Sequence, residues 1–341
     1  MTTNLKSLHR SVVALALAGV SSASLVASDA DPFLGRWALT LPGGGAGWLG
    51  VTKENGYYDA SLLWGGGSVV PVSSVFFADD QLWATRVREV KRKDASGKVI
   101  RTQQFTEAII GRVSGDELNL VLFNPRDNGE GISQAEFTGK RIPELPAKPD
   151  LAKVKFGAPI TLFGGKSLDG WQLTDPGAVN GWSVKDGLLI NNPVQEEGKP
   201  HKNYGNLRTG KEFEDFNLKL EVKVEKDDNS GIYLRGIYEV QVADTYGHGL
   251  DSHNMGGIYS RITPTLSAEK PAGEWQTYEL TLVDRHVTVI LNGKTIIDNQ
   301  PLLGCTGGAL WSDEFRPGPI YLQGDHTGVN YRNIVLKPVV K

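Results

Sequence analysis

The chain has 341 residues, a formal net charge of −3 and a single cysteine, Cys305. That mild acidity argues against nucleic acid or an anionic membrane surface as the main partner, and one cysteine excludes an internal disulfide. The fold must therefore stand on its hydrophobic core, and the length suits two domains of ordinary size.

Lys6 and Arg10 precede an apolar run, Val12 to Val20, which ends in the small residues Ser21, Ser22 and Ala23. A basic flank, a short apolar stretch and small residues predict a secretory signal peptide over residues 1–28, cleaved after Ala23 or after Ser28. The run is well short of the roughly 20 apolar residues that span a bilayer. Its removal takes away two bases and no acid, moving the formal charge from −3 to −5. The expected mature protein is exported, periplasmic or extracellular, and not inserted in a membrane.

Residues 31–143 read as strands throughout. Trp37, Leu39 and Leu41 alternate with smaller or polar residues, as do Tyr58, Ala60, Leu62 and Trp64, and then Leu118, Leu120 and Leu122. This period of two marks half-buried strands, and Ala95-Ser96-Gly97-Lys98 and Ser114-Gly115-Asp116-Glu117 supply hairpin turns. The domain is predicted to be a small all-β meander, closed as a barrel or folded as a sandwich, and accessory to the rest. Gly35-Arg36-Trp37 resembles the start of lipocalin-type barrels, over three residues only and with no ligand implied. Trp48, Trp64 and Trp83 are expected in the core.

Four prolines between Ile142 and Pro159 mark a stiff connector, residues 144–157, with a boundary near Pro149 and little to bury. The two domains are accordingly expected to fold independently. The second domain, 158–341, carries strand-like runs at Asn217–Val224, Gly231–Ala243, Gln276–Val283, His286–Leu291, Ile320–Gln323 and Asn330–Lys337. Asn292-Gly293 and Asp284-Arg285 are turn signals between them. Many strands without helical periodicity predict a two-sheet antiparallel sandwich.

In the run from Gly231 to Ala243, Ile232, Leu234, Tyr238, Val240 and Val242 share the face expected in the core. Tyr233, Arg235, Glu239 and Gln241 share the opposite face. An aromatic ring, a guanidinium, a carboxylate and an amide in one row suit a polyhydroxyl ligand, whereas a plain solvent face with an Arg–Glu pair is the simpler alternative. Two more strands tip the balance toward a site. Leu218, Leu220, Val222 and Val224 leave Glu221 outside, and Ile320 and Leu322 leave Tyr321 and Gln323 outside, with Asp325 and His326 just past the strand end. His248, Asp251 and His253 have metal-ligand types in a Gly-rich loop that fixes no geometry. Asp227-Asp228-Asn229 reads as a hairpin turn, His201 as a loop residue, His286 as a surface residue and Cys305 as structural.

In order along the chain, TLFGGKSLDGW, WSVKDGLLINN, FEDFNLKLEVKV, NSGIYLRGIYEVQVAD, KPAGEWQTYELTLVDRHVTVILNGK, GPIYLQGD and VNYRNIVLKP make residues 158–339 resemble the 3-keto-disaccharide hydrolase domain family. The resemblance implies a concanavalin-like jelly-roll and an oligosaccharide or glycoside substrate already oxidised at C3. It leaves out the first domain, and the stretches Asn191–Asn206 and Gly247–Gly257 are less typical of it. On this reading Glu239 is the candidate base, Arg235 or a bound divalent metal ion the candidate enolate stabiliser, and His326 an acid or a metal ligand. Tyr233, Gln241, Glu221, Tyr321, Gln323 and Asp325 would hold the sugar. A direct glycoside hydrolase, which needs two acids such as Glu221 and Glu239 across the scissile bond, and a non-catalytic sugar-binding module are the competing readings. Mass spectrometry of exported protein is expected to find a new terminus after Ala23 or Ser28; an intact Met1 would rule the signal peptide out.

Overall fold

The computed structural model describes residues 30–340, so the expected signal peptide lies outside the described residues. Among them the regular elements are β-strands, apart from the single 3-10 turn Asp31–Phe33. No helix among them is long and apolar enough to cross a membrane.

The first domain is a nine-stranded antiparallel meander. Gly35–Thr40 pairs with Ala46–Glu54 on one side and with Ile132–Ile142 on the other. From this pair the sheet runs one way through Tyr57–Trp64 to Val70–Pro71, and the other way through Glu117–Pro125, Val99–Ser114 and Gln81–Lys93 to Ser74–Ala78. The short connection between the two edge strands closes the ring. Val72 N–H donates to Ala60 O at 2.9 Å, and Ser73 N–H donates to Thr85 O at 2.7 Å. Closure removes the open edges of the sheet. Leu39, Leu49, Leu62, Ile109 and Phe137 fill the barrel, and the space left between them is too small for a water molecule.

The second domain is a sandwich of two antiparallel sheets. The larger sheet runs Trp182–Lys185, Leu188–Asn191, Val329–Pro338, Phe216–Lys223, Gln276–Val283, His286–Leu291, Lys294–Pro301, with Ile160–Phe163 added beside Val329–Pro338. The smaller runs Trp171–Leu173, Leu207–Thr209, Tyr321–Leu322, Asn229–Leu234, Tyr238–Ala243. The expected Gly231–Ala243 run is two strands joined at Arg235-Gly236, both with positive φ. Asp284-Arg285 and Asn292-Gly293 also have positive φ at both positions, the geometry of tight hairpin turns that match strand twist. The core between the sheets holds the expected residues, among them Leu218, Leu220, Val222, Ile232, Leu234, Val240, Val242, Ile320 and Leu322. His286 corrects the surface reading: it is 6% exposed, with Nδ1 2.9 Å from Asp284 O, because its strand lies inside the sheet between two neighbours.

The connector is not the only link between the domains. Successive strand residues point to opposite faces, so Leu49 and Leu62 enter the barrel core while their neighbours Trp48 and Leu63 join the core cluster of the sandwich, with Ile142. Trp48 is 8% exposed, lies under the Arg261 guanidinium at 4.4 Å from the ring centre and occupies the space where Gly304 would carry a Cβ. Arg261 also donates through Nε and Nη2 to Cys305 O, at 2.9 and 2.6 Å. Cys305 itself is buried in this seam, its thiol pushed up to about 12 by burial. Of the other two tryptophans, Trp64 packs edge-on against Phe137 at 5.2 Å, whereas Trp83 departs from the core expectation, lying half-buried and stacked on the exposed Phe76.

Truncating Trp48 to Ala should therefore cost about 3–5 kcal/mol, the usual range for a buried Trp. It should also separate barrel from sandwich in urea unfolding followed by near-UV circular dichroism, turning one transition into two. A midpoint unchanged from wild type would argue that the seam contributes nothing.

Candidate active site on the outer face of the smaller sheet

Strand pairing puts three of the singled-out residues in one row. Tyr233 lies directly opposite Glu239 on one neighbouring strand and opposite Tyr321 on the other. Because Ile232 and Leu322 of the same strands point into the core, this row points away from it. The two tyrosine rings stack at 4.1 Å with an interplanar angle of 12°. Tyr233 Oη is 2.9 Å from Glu239 Oε2 and 2.7 Å from Gly307 O. Gln241, two residues beyond Glu239, sits opposite Gly231. That glycine leaves room for the carboxyl, since a Cβ there would overlap the Glu239 side chain where it lies.

The row is not open to solvent as an ordinary outer face would be. The segment 256–259 continues the sheet at its edge: Tyr259 N–H donates to Glu239 O at 3.0 Å, and Gln241 N–H donates to Gly257 O at 2.9 Å. Thr306 Oγ accepts from Glu239 N–H at 2.9 Å. Glu239 is left 4% exposed, at a pocket of about 240 Å³. Tyr233, Glu239, Gln241, Tyr321, Gln323, Asp325 and His326 all line this pocket, together with Asn206, Asn229 and Tyr259. Gly307 and Gly308 complete the sandwich side, and Gly66 and Gly67 come from the barrel.

The electrostatics divide the pocket into two parts. Burial pushes the Glu239 carboxyl up to about 8, against the opposing pull of the Tyr233 hydroxyl and the His326 charge. A protonated Glu239 is also compatible with the hydrogen bonds. One Tyr233 hydroxyl proton faces two acceptors, and both contacts are satisfied when Tyr233 donates to Gly307 O and a protonated Glu239 donates to Tyr233. Burial and the nearby Glu239 charge raise Tyr233 well above the ordinary phenol range, so it remains a hydroxyl donor. At the other end, His326 Nδ1 is 2.8 Å from Asp325 Oδ1. That bond raises His326 against the opposing effect of burial, and the Asp325 charge adds to the rise. A carboxylate on Nδ1 orients the ring and leaves Nε2 for chemistry.

Polar side chains lie between these ends. Asn206 Nδ2 donates to Tyr321 Oη at 2.9 Å and Asn206 Oδ1 accepts from Gly324 N–H at 2.7 Å. Gln323 Oε1 and Asn229 Oδ1 are buried with no hydrogen-bond partner, a costly arrangement unless a ligand supplies donors. Sugar hydroxyls are such donors, and so is a hard cation. Asp325 and His326 are ligand types at the pocket, but no group of three or more His, Cys, Asp or Glu side chains is placed to hold a metal among the described residues. In the loop before segment 256–259, the Asp251–His253 pair (Oδ1 to Nδ1 2.5 Å) is therefore no metal centre on its own.

Two of the sequence-derived candidates are elsewhere. Arg235 is in the turn after its strand, not on the strand face. Its guanidinium donates to Glu314 O at 2.7 Å and to Arg316 O, so it faces away from the pocket and cannot reach an enolate there. Positive φ at Arg235 breaks the strict alternation on which the sequence assignment rested. Glu221 lies on the larger sheet, where it pairs with Arg332 and accepts from Asn333 Nδ2 at 3.0 Å. Its strand neighbours Gln276–Val283 and Val329–Pro338, not Tyr238–Ala243, so Glu221 and Glu239 form no acid pair across a scissile bond. Asn206, Asn229, Tyr259 and the glycines were not singled out. Asn229 was visible only as a turn residue, and the others are joined to the pocket by contacts between distant segments.

Comparison with known proteins places these residues in a family. Residues 158–337 match the model of the 3-keto-alpha-glucoside-1,2-lyase-like domain. A curated Bacteroides thetaiotaomicron protein named 3-keto-disaccharide hydrolase is 26% identical over an alignment covering 41% of this chain and 57% of that protein, so the chain spans little more than half the length of that relative. Two crystal structures from Parabacteroides distasonis, both assigned provisionally to the glycosyl hydrolases, align with 30% and 22% identity. They cover 56% and 53% of this chain and 92% and 94% of theirs, with a TM-score of 0.43 in each case. Over residues 158–337 this chain belongs to the 3-keto-disaccharide hydrolase domain family.

Proposed function

We propose that this chain cleaves glycosides whose sugar is oxidised at C3, by elimination and rehydration. The observation that carries the reading is the buried Glu239–Tyr233 pair facing the Asp325–His326 pair across one sugar-sized pocket. A ketone at C3 acidifies the C2 proton. Glu239, once ionised, takes that proton, and the electron pair forms an enolate between C2 and C3 with charge on the C3 oxygen. The enolate returns its electrons toward C1 and the C1–O bond breaks, His326 donating a proton to the leaving oxygen. The product is a 1,2-unsaturated ketone. Water adds across this double bond, hydroxyl to C1 and proton to C2, so the net change is hydrolysis.

Arg235 has no part in this scheme. The C3 oxygen is instead held by neutral donors, the side-chain amides of Asn229, Gln241 and Gln323, which the fold holds in place around the pocket. A carboxyl raised toward neutral pH suits the role of base, since its ionised form is a stronger base than a carboxylate at its ordinary pKa.

Three outcomes follow. Glu239→Gln keeps the shape but not the base, so turnover of a 3-keto-glycoside should fall about 100-fold or more while substrate binding changes much less; an undiminished rate in folded protein would remove Glu239 from the mechanism and favour a binding module. In the folded wild type, Glu239 keeps a proton that the unfolded chain releases from about pH 4.5 upward. Wild-type stability should therefore decline relative to Glu239→Gln as pH rises from about 4.5 to about 8, by at most about 1.4 kcal/mol per pH unit. Parallel thermal melts of both proteins across this range would contradict a raised Glu239. In heavy water the product should carry deuterium at C2 beyond that of a free keto-sugar control, and unoxidised glycosides should be inert. Retention of hydrogen at C2, or equal cleavage of unoxidised glycosides, would instead mean direct hydrolysis.

A further inference from the structure

The barrel lies outside the family match, yet its loop after Tyr57–Trp64 reaches the pocket. Gly66 and Gly67 line it directly. The loop is anchored on both sides of the site. Gly308 N–H donates to Gly65 O at 3.3 Å, and Gly67 backbone lies where a Cβ on Gly307 would be. Ser68 Oγ is 2.8 Å from His253 Nε2, and Val69 N–H donates to Ser260 Oγ at 2.8 Å. These anchors flank the working groups. Gly307 O accepts the Tyr233 hydroxyl, and His253 packs edge-on against Tyr259, another pocket residue, at 4.7 Å.

From this geometry we infer that the barrel loop Gly65–Ser68 is a wall of the substrate pocket, and that it limits the pocket to one terminal sugar ring. The inference rests on the pocket being a sugar site. Two features support the size limit. The volume of about 240 Å³ is below the roughly 300–1,000 Å³ that encloses a drug-sized ligand, so one ring fits and the rest of a glycoside stays outside. The wall is built of backbone, and Gly66, without positive φ, has open space at its Cβ position. Gly66 lines the pocket, so a side chain added there would meet no protein atom at its Cβ and is expected to take up ligand space. The barrel then limits how much of a glycoside can enter, while the sandwich supplies the acid and base.

The test uses the full chain with Gly66→Leu, and with Gly45→Leu as control, another open barrel glycine that does not line the pocket. Binding of 3-keto-glucose and of methyl α-glucoside is measured by titration calorimetry, and folding by thermal melts. Wild type and Gly45→Leu should bind at least one of these sugars equally well, with Gly66→Leu weaker by about 10-fold or more at an unchanged melting temperature. Equal affinity in all three proteins, a wild type with no affinity for either sugar, or weakening that follows a lowered melting temperature overturns the wall. Turnover of a 3-keto-disaccharide by wild type is followed separately. A wild type that binds these sugars without turning over the disaccharide removes the proposed reaction and leaves the wall standing.

Discussion

Glu239 is a carboxyl group enclosed on the face of a sheet that the alternation of its strand directs away from the core, and most features of the site are arranged around that enclosure. Its strand edge is covered by segment 256–259, its backbone is tied to Thr306, and its carboxyl lies over Gly231 because no Cβ is there. Removing a carboxylate from water is expensive unless it is neutralised or bonded. The structure accommodates it with a proton, a tyrosine hydroxyl and a carbonyl that takes that hydroxyl in turn. A group held this way is ready to exchange a proton near neutral pH, which an exposed glutamate is not.

The barrel packs against the same enclosure. Glycines 307 and 308 carry the carbonyl that orients Tyr233, and a Cβ on Gly308 would come within 2.6 Å of the Tyr233 hydroxyl. A segment with so little side chain gains rigidity from what packs on its far side. Here that is the barrel loop, with Trp48, Leu63 and Ile142 buried in the core of the sandwich. A second buried polar group lies beneath this seam: Glu314, raised by burial and held 3.4 Å from Arg285. An ion pair of that kind adds little net stability against its desolvation, but losing one partner is costly.

The two sheets also show how an enclosed face is told from an ordinary sheet surface. Glu221 has the residue type and the outward direction of a site group, but its partners are Arg332 and Asn333, and a paired, partly exposed carboxylate stays fully ionised and is worth little. Glu239 differs in having no cationic partner in contact and almost no water. The contrast is one of environment, since both are glutamates flanked by apolar neighbours on antiparallel strands.

Much of this was legible in the sequence because strand alternation is local. Side chains two apart must share a face, so the core set from Leu218 to Val242 and the outward set of Tyr233, Glu239, Gln241, Tyr321 and Gln323 could be separated by counting. The turn signals likewise depend only on which residues tolerate positive φ, and Asp284-Arg285 and Asn292-Gly293 adopt it. Counting failed at Arg235, where one left-handed residue turned the chain before the next position of the row. What only the tertiary structure decided is long-range. Which sheet takes each strand separated Glu221 from Glu239, and the approach of a barrel loop more than 200 residues away in sequence from Gly307 brought Gly67 to the pocket. No local pattern encodes such contacts, because they arise from the burial of faces that become adjacent only when the sheets close and the two domains pack.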